Sequence, residues 1–139
     1  MEKGAKIQAG GYSEGLIYHP TILTDVPNDA IAANEETFGP LVIVEPVDTI
    51  EEAIAVANRT SYGLVSSIFT KDTYKAFELA PQIMHGVVNV NSPTVNEETH
   101  APMGGVKNSG WGRTGPHSIE DFSELIWVNS RSTSKQYPF

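Results

Sequence analysis

Leu41-Val42-Ile43-Val44, Leu64-Val65-Ser66-Ser67-Ile68-Phe69 and Val87-Val88-Asn89-Val90, with the residues between them, decide the fold class. The first run is continuous and rich in β-branched side chains, the pattern of a strand covered on both faces. Asp48 and Thr49 offer an N-cap directly after it, and Glu51 and Glu52 stand where a capping box needs them. Ile50, Ala53, Ile54 and Ala57 then recur at helical spacing and form one apolar stripe, with Asn58 and Gly63 as stop signals. A second strand is expected over 64–69. A second helix is expected from Asp72 through Ala76, Phe77 and Ala80 to about Ile83, shortened or kinked by Pro81. Gly86 opens the third strand, Val87 to Val90. The order is β-α-β-α-β with short connections, which implies an α/β fold with a mainly parallel sheet and right-handed crossovers.

Outside 41–91 the signals are irregular. Gly10-Gly11 and Ser13-Glu14-Gly15 punctuate the first 40 residues, and Leu16 to Tyr18 and Thr21 to Thr24 flank Pro20 as short extended pieces. Glycine and proline dominate 102–116. Ser118 to Phe122 suits a helical turn, and Leu125 to Val128 reads as a last strand before a polar end. The flanks are expected to wrap the core as loops and added strands.

The chain has 139 residues, a net charge of −8 and no cysteine. The acidic balance argues against a nucleic-acid surface, which needs clustered Lys and Arg. Zero cysteine removes disulfides, thiolate metal sites and a cysteine nucleophile from this chain. The four histidines, His19, His85, His100 and His117, show no metal-ligand spacing, so no metal is expected. His85, beside Gly86, reads as a cation at a helix C-terminus. No leader or membrane-spanning stretch is visible, so a soluble cytoplasmic protein is expected. Asn58-Arg59-Thr60 then matches a glycosylation sequon by chance.

Gly110-Trp111-Gly112-Arg113-Thr114-Gly115 matches G-x-G-x-x-G letter for letter. A phosphate loop needs a strand before it and a helix opening on it, whereas here Pro116 follows and residues 104–109 do not read as a strand. A glycine-rich turn beside closely passing backbone is the simpler account. The adjacent acids Glu51-Glu52 belong to a solvated first helical turn, because neighbours on a helix point apart. Glu35-Glu36-Thr37-Phe38-Gly39-Pro40 is different. A carboxylate there can accept ribose hydroxyls and the aromatic can wall a flat ring, although a plain connection remains open as a reading.

Several segments, in order, resemble the aldehyde dehydrogenase superfamily. They begin with Gly4-Ala5-Lys6, Gly10-Gly11 and Pro20-Thr21-Ile22-Leu23-Thr24-Asp25-Val26, followed by Glu35 to Pro40 and Ala57-Asn58-Arg59-Thr60-Ser61-Tyr62-Gly63-Leu64. Val88-Asn89-Val90-Asn91 and the run Pro102-Met103-Gly104-Gly105-Val106-Lys107-Asn108-Ser109-Gly110-Trp111-Gly112-Arg113 complete the series. The stretch 101–112 and the ending Tyr137-Pro138-Phe139 look most like the aromatic-aldehyde branch, which includes salicylaldehyde, benzaldehyde and vanillin dehydrogenases.

The resemblance implies a C-terminal part, residues 1–139, of a catalytic domain that oxidises an aldehyde to its acid with NAD or NADP. By that analogy Glu36 binds the nicotinamide-side ribose and Phe38 contacts the nicotinamide region. Thr94, Asn96 and Met103, on or beside the segment 92–103, line the aldehyde tunnel. The family's nucleophilic cysteine and activating glutamate lie upstream of the matched region, and Thr114 stands where some branches carry a glutamate. No catalytic residue is therefore assigned, and the chain alone is expected to be inactive. The resemblance also makes Leu125 to Val128 an oligomerisation strand. The implied partners are the N-terminal part of the enzyme or identical subunits, together with the aldehyde. The competing readings are a non-catalytic assembly module and a truncated remnant.

Overall fold

The computed structural model describes residues 4–95 and 98–138. The elements are β1 (Lys6–Ala9), β2 (Ser13–Glu14), β3 (Ile17–Tyr18), β4 (Thr21–Thr24), α1 (Ile31–Asn34), β5 (Leu41–Ile43), α2 (Ile50–Arg59), β6 (Tyr62–Gly63), β7 (Val65–Ile68), α3 (Thr73–Leu79), β8 (Val87–Val90), β9 (Val106–Lys107) and α4 (Ser118–Asp121). The β-α-β-α-β order is present as β5-α2-β7-α3-β8.

Helix α2 begins as its sequence dictates. The Thr49 hydroxyl accepts from the Glu52 amide at 3.1 Å, and the Glu52 carboxylate accepts from the Asp48 amide at 2.9 Å. Helix α3 uses Asp72, whose carboxylate accepts from the Lys75 amide at 3.0 Å. It ends at Leu79, and Pro81 lies in the 3₁₀ turn Ala80–Gln82 that follows.

A single, mainly parallel sheet is not what forms. Among the described residues there are four small sheets, β1-β4-β5, β2-β3, β6-β9 and β7-β8. The pairs β4-β5 and β7-β8 are parallel, and β1-β4, β2-β3 and β6-β9 are antiparallel. Strand β5 thus leaves β7 and β8 and joins the N-terminal strands. Its flat apolar run does not specify which neighbour it takes. The first 40 residues, expected as loops with short extended pieces, supply two of the three strands of that sheet. Leu125 to Val128 forms no ladder among the described residues, and all four side chains are largely exposed.

Side chains tie the two-stranded β7-β8 unit together where its ladder ends. The Asn91 side chain accepts from the Thr70 amide and donates to the Thr70 carbonyl, both at 2.8 Å, acting as one more strand residue. Asn58 donates to the Gln82 carbonyl at 2.8 Å and accepts from the Met84 amide at 2.7 Å, pinning α2 to the turn after α3. Both ends of the Asn58 carboxamide are thus engaged inside the fold. Between α2 and α3 the small residues Ala53, Ala57 and Ala76 leave a groove of about 380 Å³ over Ser67 and Ile68.

Burial is shallow. Ala76 is the one buried apolar side chain among the described residues, and no large side chain is fully enclosed. Val42 and Val44 are about half exposed, so the run expected to be covered on both faces is not covered here. The chain exposes 11169 Å², where a folded monomer of 15.1 kDa exposes about 7,100 Å². No helix among the described residues is long and apolar enough to cross a membrane.

Candidate functional site

Four glycines build the centre of the candidate site. In the β6-β9 pair Tyr62 faces Lys107 and Gly63 faces Val106. A Cβ on Gly63 would lie 2.6 Å from the Met84 carbonyl oxygen, and one on Gly86 would lie 2.7 Å from the Gly104 carbonyl carbon. One on Gly104 would press on Arg113, and one on Gly105 on Ser109. Backbone therefore crosses backbone at van der Waals distance, which only glycine permits. The Gly86 amide donates to the Gly63 carbonyl at 3.0 Å, and the Gly63 amide donates to the Ser109 hydroxyl at 2.9 Å.

Two cavities flank this crossing. The first holds about 460 Å³ and is lined by Glu35, Glu36, Tyr62 to Val65, His85, Asn108 and Ser109. The second holds about 420 Å³ and is lined by Leu64, Met103 to Gly105 and Ser109 to Thr114. Leu64 and Ser109 belong to both, so the cavities are neighbours across two residues. Glu36 thus faces one chamber and Met103 the adjoining one. Met103 is fixed by the Thr114 amide, which donates to its carbonyl at 2.6 Å. The Glu36 carboxylate makes no ion pair or hydrogen bond among the described residues, leaving its oxygens free to accept from a ligand hydroxyl.

The remaining candidates fall elsewhere. Phe38 has a left-handed backbone, φ 48°, and its ring is 93% exposed outside both chambers. Thr94 is exposed and also lines neither chamber. Asn96 lies outside the described residues. Gly110, Gly112 and Gly115 all have positive φ, and the short 3₁₀ turn Gly115–His117 follows them. They form a loop around the second chamber, with no strand-turn-helix cradle for a phosphate. The Arg113 guanidinium holds this loop by donating to the carbonyls of Gly105 at 3.0 Å and Gly112 at 2.7 Å.

Two participants were not visible in the sequence as such. Lys107 reaches back to α2 and donates to the Asn58 and Thr60 carbonyls, both at 3.0 Å, capping the helix C-terminus with a positive charge. His85 is then not the helix-end cation its position suggested. Burial, and secondarily the Lys107 charge, push its pKa below the ordinary 6.5. Both contacts come from residues far along the chain, so local spacing carried no signal for them.

A depressed histidine pKa has a signed consequence for stability. The unfolded chain takes up the proton first, so the contribution of neutral His85 is complete above about pH 6.5. It is lost as the pH falls through the lower folded value. Urea midpoints measured at pH 7.5 and 5.5 should therefore drop more for the wild type than for His85→Gln. Equal drops would show that His85 is not held neutral by the fold.

Residues 1–128 match the Aldehyde dehydrogenase family. The chain belongs to that family. It is similar to the salicylaldehyde dehydrogenase of Pseudomonas putida, with 39% identity over 140 residues, covering 100% of this chain and 29% of the relative. Among solved structures it is similar to a salicylaldehyde dehydrogenase from Pseudomonas putida G7 complexed with salicylaldehyde. There the TM-score is 0.91 and the identity 41%, over 99% of this chain and 29% of the other. It is also similar to a Mycobacterium tuberculosis aldehyde dehydrogenase complexed with NAD+, with TM-score 0.81 and 40% identity, over 88% of this chain and 26% of the other. The chain thus spans under a third of the length of the curated relatives it matches.

Proposed function

We propose that residues 1–139 form the C-terminal part of the catalytic domain of an NAD- or NADP-dependent aldehyde dehydrogenase that oxidises an aromatic aldehyde to its acid. The observation that carries this is the adjoining pair of chambers, with Glu36 in one and Met103 in the other, in a chain matched over 1–128 to this family. The similarity to proteins solved with salicylaldehyde and with NAD+ supports the two ligand classes. When bound, the nicotinamide cofactor supplies the hydride acceptor.

This chain's own residues hold and shape. Glu36 accepts the hydroxyls of the nicotinamide-side ribose, for which its unpaired carboxylate is suited. Phe38 offers its exposed ring face to the nicotinamide region once the cofactor and the rest of the enzyme are in place. Met103 forms an adaptable apolar wall of the aldehyde path, and the family resemblance assigns Thr94 and Asn96 to the same path. The reaction needs a thiolate nucleophile, which must come from outside this chain because the chain holds no cysteine. In the complete enzyme, Glu36→Gln should raise KM for the cofactor about tenfold and leave KM for the aldehyde within twofold. Steady-state kinetics at varied NAD+ and varied salicylaldehyde separate the two. An unchanged cofactor KM would remove Glu36 from the site.

A second reading, as an assembly element, rests on Leu125 to Val128. Leu125 is 104% and Trp127 88% exposed, in a run with no ladder partner among the described residues. Such a run acts as a strand waiting for an edge. We propose that it pairs with an identical subunit. Light scattering should show the chain self-associating, and Trp127→Glu should shift it toward monomer. A wild-type monomer at high concentration would oppose this reading.

A further inference from the structure

We propose that Lys107 is a positioning residue of the dehydrogenase reaction, whose ammonium fixes the residues shared by the two chambers and so sets the spacing of cofactor and aldehyde. The inference rests on the reading of this chain as part of an aldehyde dehydrogenase, with the cofactor beside Glu36 and the aldehyde beside Met103.

The shared residues are Leu64 and Ser109, which line both chambers. They follow directly on β6 and shortly after β9, whose ladder has two residue pairs, Tyr62 with Lys107 and Gly63 with Val106. So short a ladder is marginal by itself. Three consecutive residues clamp it. Lys107 Nζ donates to the Asn58 and Thr60 carbonyls, both at 3.0 Å. The Asn108 amide donates to the Ser61 carbonyl at 3.0 Å, and the Ser109 hydroxyl accepts from the Gly63 amide at 2.9 Å.

The clamp closes into a circuit. The Asn58 side chain accepts from the Met84 amide at 2.7 Å. Two residues on, the Gly86 amide donates to the Gly63 carbonyl at 3.0 Å. Lys107 thus ties the end of α2, the turn before β8 and the residues between the chambers to one another. Capping of α2 does not by itself account for this lysine, because Arg59 already places a positive charge in the last turn. Lys107 is half-buried, and among the described residues no carboxylate pairs with it. Its backbone is left-handed, φ 54°, which residues with a side chain rarely adopt. A partly desolvated charge on strained backbone is costly, and the fold keeps it where the two chambers meet.

The test joins the chain to the salicylaldehyde dehydrogenase of Pseudomonas putida in place of the matching 29% of that enzyme. Stopped-flow absorbance follows the first turnover of NADH formation at saturating NAD+ and salicylaldehyde. The amplitude counts intact sites, and the rate constant reports how well the ligands are placed within them. Lys107→Met keeps the stem and removes the donors. It should lower the rate constant about tenfold and leave both KM values within about twofold, since each ligand keeps its own contacts. Lys107→Arg, which restores two donors, should recover most of the rate. Lys71→Met, at an exposed lysine before α3, should match the wild type. If Lys107→Met shows no amplitude, Lys107→Gln replaces it, with a shorter stem that still ends in a donor, and should also be slower than wild type. A lowered amplitude with the wild-type rate constant would overturn the inference, because Lys107 would then serve folding alone. Absence of turnover by the joined wild type would instead count against the reading on which the inference stands.

Discussion

Gly86→Ala should destabilise the chain by about 3 kcal/mol, lowering its melting temperature by on the order of 10 °C. The reason is space and not backbone freedom, because Gly86 does not have positive φ. A methyl group at that position would run into the carbonyl group of Gly104, and its nearest further neighbour is the Gly105 Cα at 3.2 Å. Backbone on both sides cannot swing away as a flexible side chain would. The Gly86–Gly63 hydrogen bond and the β6-β9 pair would have to separate. Gly15→Ala is the matched control. Its φ of 63° strains any side chain, but nothing lies within 4 Å of the new methyl, so a loss of only about 1 kcal/mol is expected. Thermal melts of both variants check this, and a Gly86→Ala melt within 2 °C of wild type would mean that the crossing is looser than drawn. Because the two chambers share Leu64 and Ser109 beside this crossing, the same substitution should also disturb the candidate site.

The second large effect is an absence of turnover. The 139-residue chain, mixed with NAD+ and salicylaldehyde, should form no NADH above background. Attack on the aldehyde carbonyl needs an activated nucleophile, and this chain has no thiol to supply one. Serine and threonine hydroxyls around the chambers do not replace it. Ser109 Oγ already accepts from the Gly63 amide at 2.9 Å, and among the described residues no carboxylate or histidine is hydrogen-bonded to it as a base. The absorbance of NADH reports the outcome directly. Turnover by the chain alone would show that it carries its own nucleophile.

Local pattern was enough for β5, α2, β7, α3 and β8, because each is written in a run of a few residues. The Thr49–Glu52 cap and the Pro81 stop could both be read from spacing alone. Sheet membership could not. Leu41 to Val44 is equally apolar whichever strand lies beside it, and its pairing with Thr21 to Leu23 depends on residues twenty positions away. Burial was not legible either, since a β-branched run such as Leu41 to Val44 reads as covered, whereas no described residue encloses Val42 or Trp127. In the candidate site, Glu36 stood out because a carboxylate, an aromatic and a Gly-Pro bend fall within six residues. Lys107 did not stand out and His85 read only as a helix-end cation, since their meaning comes from Asn58, Thr60 and a chamber wall built by distant segments. The glycines of 104–105 were legible as a turn, but not as the surfaces against which Gly86 and Ser109 pack.

The central claim is that this chain is a working part of an aldehyde dehydrogenase and needs a thiolate-bearing remainder. The most direct measurement joins it to the salicylaldehyde dehydrogenase of Pseudomonas putida in place of the matching 29% of that enzyme, and follows NADH formation with salicylaldehyde. The account predicts turnover by the joined protein, loss of that turnover when the thiolate cysteine of the remainder is replaced by alanine, and a raised cofactor KM in Glu36→Gln. A joined protein that folds and binds both ligands yet forms no NADH would contradict it.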